Sequence, residues 1–320
     1  MSEITPQGAQ VSDVPTPGPP RDLVGYGPEP PRVEWPGNAR VALQFVVNYE
    51  EGSEYSHPAG DGRNEAVGET ARSLAPHFRD LHVESVFEYG SRAGVWRLLR
   101  LFERFDIQCT FFAAAVALER NPAVARAASA AGHEIAAHGW RWSEQWLLGR
   151  DEERKQIEAA VRSIEQTCGK RPLGWYSRYG PSVHTRELLV EIGGFRYDAD
   201  AYNDDLPYFV DVTGTRHLVV PYTPVLNDMR FALQGYSSPR DFYETCAQAL
   251  DYLAEEGKSH PRMLSVGLHP RLVGQPGRAS ALQALIEHAL RRGDVWFARR
   301  IDIAELWWKS FGTGRVRGQA

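Results

Sequence analysis

Val41-Ala42-Leu43-Gln44-Phe45-Val46-Val47 runs without a break into Asn48-Tyr49-Glu50-Glu51-Gly52, an apolar segment that ends in two acids. A short run of this kind, with no polar alternation, predicts a strand buried on both faces in a parallel sheet. The design recurs. Residues 133–138 form a short strand inside Gly132-His133-Glu134-Ile135-Ala136-Ala137-His138-Gly139-Trp140-Arg141-Trp142. Residues 173–176 lead through Tyr176 to Arg178, residues 195–197 to Asp198 and Asp200, and residues 263–268 to His269. Further strands are predicted at residues 109–116, 218–222 and 295–298.

Helical spacing separates these strands. Val95, Leu98, Leu99, Phe102 and Phe105 repeat at i, i+3, i+4 and i+7 after Ser91. Ile157, Val161 and Ile164 share a face of residues 151–167, which Gly169 stops. Asn121 opens a helix with Pro122 at its first position, and residues 240–256, 279–292 and 301–311 complete the set. Strand–helix alternation of this length predicts an α/β fold, and seven or eight units favour a (β/α) barrel over an open sheet. The polar residues at the strand ends then converge on one mouth, where active sites of barrels lie.

One catalytic barrel is expected over residues 38–312. A Pro/Gly-rich arm covers residues 1–37, its first twenty residues disordered, and residues 313–320 form a disordered tail. Residues 53–89 show no periodicity and make a candidate lid over the mouth. The net charge of −5 and the absence of any basic tract argue against a nucleic-acid partner. Residues 1–14 lack an apolar core, and the longest apolar run, residues 111–118, is too short to span a bilayer. The three cysteines, Cys109, Cys168 and Cys246, are widely spaced and odd in number, which suits a reducing compartment. A cytoplasmic protein without membrane partners is expected.

The acidic tip and the histidine segment together resemble two signature motifs of the polysaccharide deacetylase family. That family uses an Asp-Asp pair and a His-x-x-x-His pair for a catalytic base and a divalent metal. The resemblance gives Glu50 the place of the base, and Glu51 and His138 those of metal ligands, while Trp142 stands at the second histidine. An indole has an N–H donor and no lone pair for a metal. No metal or other cofactor is therefore expected, zinc is disfavoured, and Glu51, His138, Trp142 and Tyr176 are assigned to substrate binding. Arg178 resembles an arginine that orients the catalytic carboxylate. His269 resembles the histidine that protonates the leaving nitrogen, and Asp200 is placed as the acid that tunes it. Each has a plainer reading: a solvated acidic turn, a core histidine, a core tryptophan, a surface arginine.

Longer segments sharpen the resemblance. Arg21-Asp22-Leu23-Val24-Gly25-Tyr26-Gly27, Glu88-Tyr89-Gly90-Ser91-Arg92-Ala93-Gly94-Val95-Trp96, Asn227-Asp228-Met229-Arg230-Phe231 and Gly267-Leu268-His269 with Arg271-Leu272-Val273-Gly274 are similar to the metal-independent allantoinase branch of the family. The branch implies a distorted (β/α) barrel, a homotetramer, and hydrolysis of the ring amide of allantoin to allantoate. Residues 53–81 and 177–185 diverge from it, which leaves a related cyclic ureide or imide open. Two alternatives stand beside this reading. One is an N-deacetylase of an acetylated sugar or small amide, and the other a catalytically silent barrel that binds a ligand. Tyr26 and Trp35 of the arm and the Trp307-Trp308 pair offer aromatic surface for oligomer contacts.

Overall fold

All nine residues of β1 (Val41–Tyr49) are buried, and the rest of the sheet is arranged around it. The computed structural model describes residues 18–66 and 74–313. The disorder expected at the two termini therefore falls, but for their innermost residues, outside the described residues. After β1 come β2 (Thr110–Ala113), β3 (Glu134–Ala137), β4 (Gly174–Trp175), β5 (Tyr197–Asp198), β6 (Tyr208–Val212), β7 (Thr215–Val219), β8 (Arg262–Leu268) and β9 (Val295–Phe297). The order across the sheet is β6-β7-β5-β4-β3-β2-β1-β8, with β9 beside the first residues of β1. Every pairing is parallel except the β6–β7 hairpin. Its turn residues Thr213 and Gly214 take φ of 52° and 83°, the positive values that a tight hairpin turn demands. The expected single strand at residues 218–222 is thus the end of a hairpin and the loop beyond it.

The sheet curls without closing. Between β8 and the segment beyond β7 a lone bridge joins Asn227 to Gly267, so the barrel is a half-barrel with a seam. Helices cover its outside: α1 (Leu81–Tyr89), α2 (Val95–Arg104), α3 (Ala115–Arg120), α4 (Pro122–Ala130), α5 (Arg150–Cys168), α6 (Thr185–Ile192), α7 (Pro239–Glu256), α8 (Pro276–Arg292) and α9 (Arg300–Phe311). The candidate lid is shorter than expected. Asp80 accepts from the amides of His82 and Val83 and caps α1, which runs through a π-helical turn at Gly90–Gly94 into α2.

Inside the curl, Arg300 is fully buried. Its Nη1 donates to Gln44 Oε1 at 2.8 Å and Ser265 Oγ at 3.0 Å, and its Nη2 to the carbonyls of Val220 and Pro221. Phe112 lies over it, with the guanidinium carbon 5.5 Å from the ring centre. The aromatic surface expected to serve oligomer contacts is largely used within the chain. Trp35 packs on Trp296 and Trp307 at 5.8 and 6.3 Å and donates to the Arg262 carbonyl. Trp307 is buried, and Trp308 donates to the Arg196 carbonyl. No helix among the described residues is long and apolar enough to cross a membrane.

Candidate active site

Parallel register levels the strand ends. Tyr49 pairs with Ala113, Ala113 with Ala137, and Ala137 with Trp175. The residue after each of β1, β3 and β4 (Glu50, His138 and Tyr176) therefore stands on one rim. Val47 pairs with Leu268, which brings His269 to the same rim from β8.

Glu50 is the hub. Its Oε1 lies 3.4 Å from His138 Nε2 and 3.5 Å from His269 Nε2, and its Oε2 accepts from Arg271 Nη1 at 2.7 Å. Burial alone would raise the Glu50 pKa, but Arg271 and His269 outweigh it and hold the carboxyl well below its usual range. His269 is set from behind by Asp228, whose Oδ1 lies 2.6 Å from Nδ1, while its Oδ2 accepts from the amides of His269 and Val273 at 2.7 and 3.0 Å. An ionised carboxylate only accepts, so Nδ1 carries a proton and Nε2 faces Glu50. Burial would lower the imidazole's pKa, yet Glu50 and Asp228 together push it up to about 9. At neutral pH Glu50 is a carboxylate facing an imidazolium.

Glu51 behaves differently from Glu50. Its two oxygens accept the amides of Arg271 and Glu50 at 3.2 and 3.1 Å. Burial pushes its pKa up to about 7, with Arg271 opposing and Glu50 adding, so the raised carboxyl is Glu51 and the ionised one is Glu50. The π-helical turn explains the approach. A Cβ on Gly90 would overlap the Glu51 carboxyl, and one on Gly94 would overlap the Pro270 carbonyl. Only glycine lets this helix lie against the acids and the turn after β8, and π turns of this kind recur at functional sites.

His138 donates from Nδ1 to the Tyr176 carbonyl at 2.8 Å, and its ring stacks on the Tyr176 ring with centroids 5.0 Å apart. Its Nε2 faces Glu50 Oε1 at 3.4 Å, and this contact helps to keep the Glu50 carboxyl ionised. Trp142 is buried between two cations: the guanidinium carbon of Arg178 is 3.7 Å from its ring centre and that of Arg271 is 5.3 Å away.

Two sequence assignments change. Arg178 does not hold Glu50; its Nη2 donates to Glu65 Oε1 at 2.8 Å and its Nη1 to the Trp142 carbonyl at 2.6 Å. Arg271 holds Glu50 instead. Asp200 is not the acid behind His269; it accepts from Ser177 N and Oγ at 2.7 and 2.8 Å. Burial and neighbouring Asp198 push it to about 7. Asp228 takes the place behind His269, on a 3-10 turn (Asp228–Phe231) capped by Asn227. The sequence carried Asp228 and Arg271 only inside longer resembling segments, with no role attached.

The family resemblance raises the question of a divalent ion, and the donor set does not fit one. Among the described residues no group of three or more His, Cys, Asp or Glu is arranged to hold a metal. Both Glu51 oxygens accept backbone amides, Trp142 has no lone pair to give, and the Arg271 guanidinium, 2.7 Å from Glu50 and 3.9 Å from Glu51, already brings positive charge to the acids.

A family model described as Polysaccharide deacetylase matches residues 77–196. The chain is 38% identical over 309 residues to a Schizosaccharomyces pombe protein provisionally named a polysaccharide deacetylase, covering 90% of this chain and 96% of that protein. Among solved structures, Puue Allantoinase superposes with a TM-score of 0.87 at 49% identity, covering 91% of this chain and 98% of its own. A Pseudomonas aeruginosa PAO1 protein, also provisionally named a polysaccharide deacetylase, gives a TM-score of 0.87 at 48% identity over the same shares.

Proposed function

The chain belongs to the polysaccharide deacetylase family, and from that premise we propose that it hydrolyses a small cyclic amide without a metal, opening the ring of allantoin to give allantoate. The observation that carries the reading is the facing pair: a carboxylate held ionised at Glu50 and, 3.5 Å away, an imidazole held protonated at His269. Amide hydrolysis needs a base for water and an acid for the departing nitrogen, each in the right protonation state near neutrality. Likeness to Puue Allantoinase at 49% identity supports the ring substrate. So does the enclosure, since Glu50 is 2% and His269 4% exposed, which suits a compact substrate better than a polymer.

Water gives a proton to Glu50 as its oxygen adds to the ring carbonyl carbon. His138, with Nδ1 tied to the Tyr176 carbonyl, borders the same Glu50 oxygen through Nε2, 3.4 Å away, and positions it. When the carbon–nitrogen bond breaks, the nitrogen takes the His269 proton. Transfer from Glu50 Oε1 back to His269 Nε2 resets the pair. Trp142 and Tyr176 wall the space. The three free cysteines, two buried and one half-buried, agree with a reducing, cytoplasmic setting.

An N-deacetylase of an acetylated sugar is the second reading, favoured by the names of the Schizosaccharomyces and Pseudomonas relatives. Incubation with allantoin, hydantoins, imides and acetylated sugars, with each product quantified, separates the two. Turnover confined to acetylated sugars would sink the ring-opening reading. A homotetramer is proposed from the same likeness, and a monomeric mass by light scattering at micromolar concentration would refute it.

A further inference from the structure

Arg271 is fully buried, and only part of its guanidinium is used. Nη1 donates to Glu50, whereas Nε and Nη2 have no acceptor among the described residues. The side chain lies over Phe87, with its central carbon 4.6 Å from that ring, and 5.3 Å from the Trp142 ring centre. Its backbone is pinned too: the amide donates to Glu51, and Pro270 beside it is pressed against Gly94. A cation so held cannot turn to water, and leaving its donors empty is unfavourable unless a ligand fills them.

We propose that Arg271 is a catalytic residue whose unclaimed donors hold the scissile carbonyl oxygen as it gains negative charge. The inference rests on the amide-hydrolase reading above. It supplies the oxyanion partner that His138 and Arg178 do not. His138 has Nδ1 engaged by the Tyr176 carbonyl and Nε2 facing Glu50, and both terminal nitrogens of Arg178 are engaged by the Trp142 carbonyl and Glu65.

The step balances. Water loses a proton to Glu50 and its oxygen bonds to the carbonyl carbon. The carbonyl π pair moves onto oxygen and is held by Arg271. That pair returns as the carbon–nitrogen bond breaks, and the nitrogen takes its proton from His269. Because Nη1 and Nη2 share one carbon, a carbonyl on Nη2 is brought close to the carboxylate on Nη1. One rigid fork thus fixes base and electrophile together. A guanidinium here does with hydrogen bonds what a Lewis-acidic ion does by coordination.

Lysine separates this role from that of an anchor. Arg271→Lys keeps a positive charge able to reach Glu50 and removes the fork. The proposal expects kcat to fall about 100-fold with KM changed only a few-fold. Arg271→Ala should fall further and recover partly in millimolar guanidinium chloride, with no response to sodium chloride at equal ionic strength. If Arg271→Lys keeps kcat within threefold, Arg271 only anchors Glu50 and the proposal fails. Should Arg271→Ala not fold, the lysine variant decides alone. The assay uses whichever amide the wild type hydrolyses. Turnover of acetylated sugars only would overturn ring opening yet leave the Arg271 test intact, and turnover of no amide would overturn both.

Discussion

Two arginines are buried in this molecule to the same degree and in opposite ways. Arg300, inside the curled sheet, has four neutral oxygens around its terminal nitrogens and no carboxylate among them. Arg271, at the mouth, has one carboxylate on Nη1 and, among the described residues, no acceptor for Nε or Nη2. Burial holds the Arg300 pKa below the usual arginine value, while Glu50 and Glu51 overcome burial and raise that of Arg271. Between them lies an aromatic stack, Phe112 on Tyr176 at 4.7 Å and Tyr176 on His138 at 5.0 Å. A buried cation whose terminal nitrogens are both filled by the fold, as in Arg300, serves the fold even though its Nε has no acceptor among the described residues. One whose terminal nitrogen stays empty, as Nη2 of Arg271 does among the described residues, is arranged for something that arrives later.

The contrast can be broken by substitution. Glu50→Gln should have the largest effect at the mouth, lowering kcat by roughly 10³–10⁴-fold in steady-state assays, and survival of turnover would remove Glu50 as the base. Arg300→Met should act on stability instead, losing about 1–3 kcal/mol in denaturant titration as buried neutral acceptors lose their donors, with near-native kcat in the molecules that remain folded. A catalytic defect without a stability defect would erase the distinction between the two arginines.

Asp228→Asn should lower kcat about 100-fold and shift the alkaline limb of the pH profile to lower pH than in the wild type, because the carboxylate that helps push the His269 pKa up to about 9 is gone. The sign follows from the shift. His269 is raised in the folded state, so its stabilising contribution is complete below about 6.5 and is lost as pH rises through about 9. Thermal melts across that window should therefore decline for the wild type and flatten for Asp228→Asn. The smallest effect concerns the metal. Trp142→His with Glu51→Asp should raise zinc affinity about tenfold by calorimetry, since a catalytic zinc site has three protein ligands, and should lower native activity. Unchanged affinity would show that Trp142 does not stand at a ligand position.

Much of the mouth was legible because each buried strand is an apolar run that stops at a polar residue: Glu50, His138, Tyr176 and His269 were placed by that rule. Residues that approach from irregular backbone were not. Asp228 sits on a 3-10 turn beyond the hairpin, and Arg271 two residues past its strand, where no periodicity points. Arg178 was assigned to the catalytic carboxylate by resemblance to a family motif, yet its partner is Glu65, 113 positions away, and no local pattern encodes a pair that distant. α1 was hidden for another reason. Its buried Val83 and Phe87 fall out of phase with Val95, Leu98 and Phe102 because the π turn inserts extra chain between them.

That phase shift makes helix length a specified quantity, as binding as any side chain. Removing one residue between Glu88 and Val95 would restore ordinary winding and bring Leu98 and Phe102 into simple phase with Val83 and Phe87, but it would abolish the π turn. What would be lost is the turn that carries Gly90 against the Glu51 carboxyl and Gly94 against the Pro270 carbonyl. An alignment that closes this segment by one position therefore describes a protein with a different mouth, however similar the letters on either side.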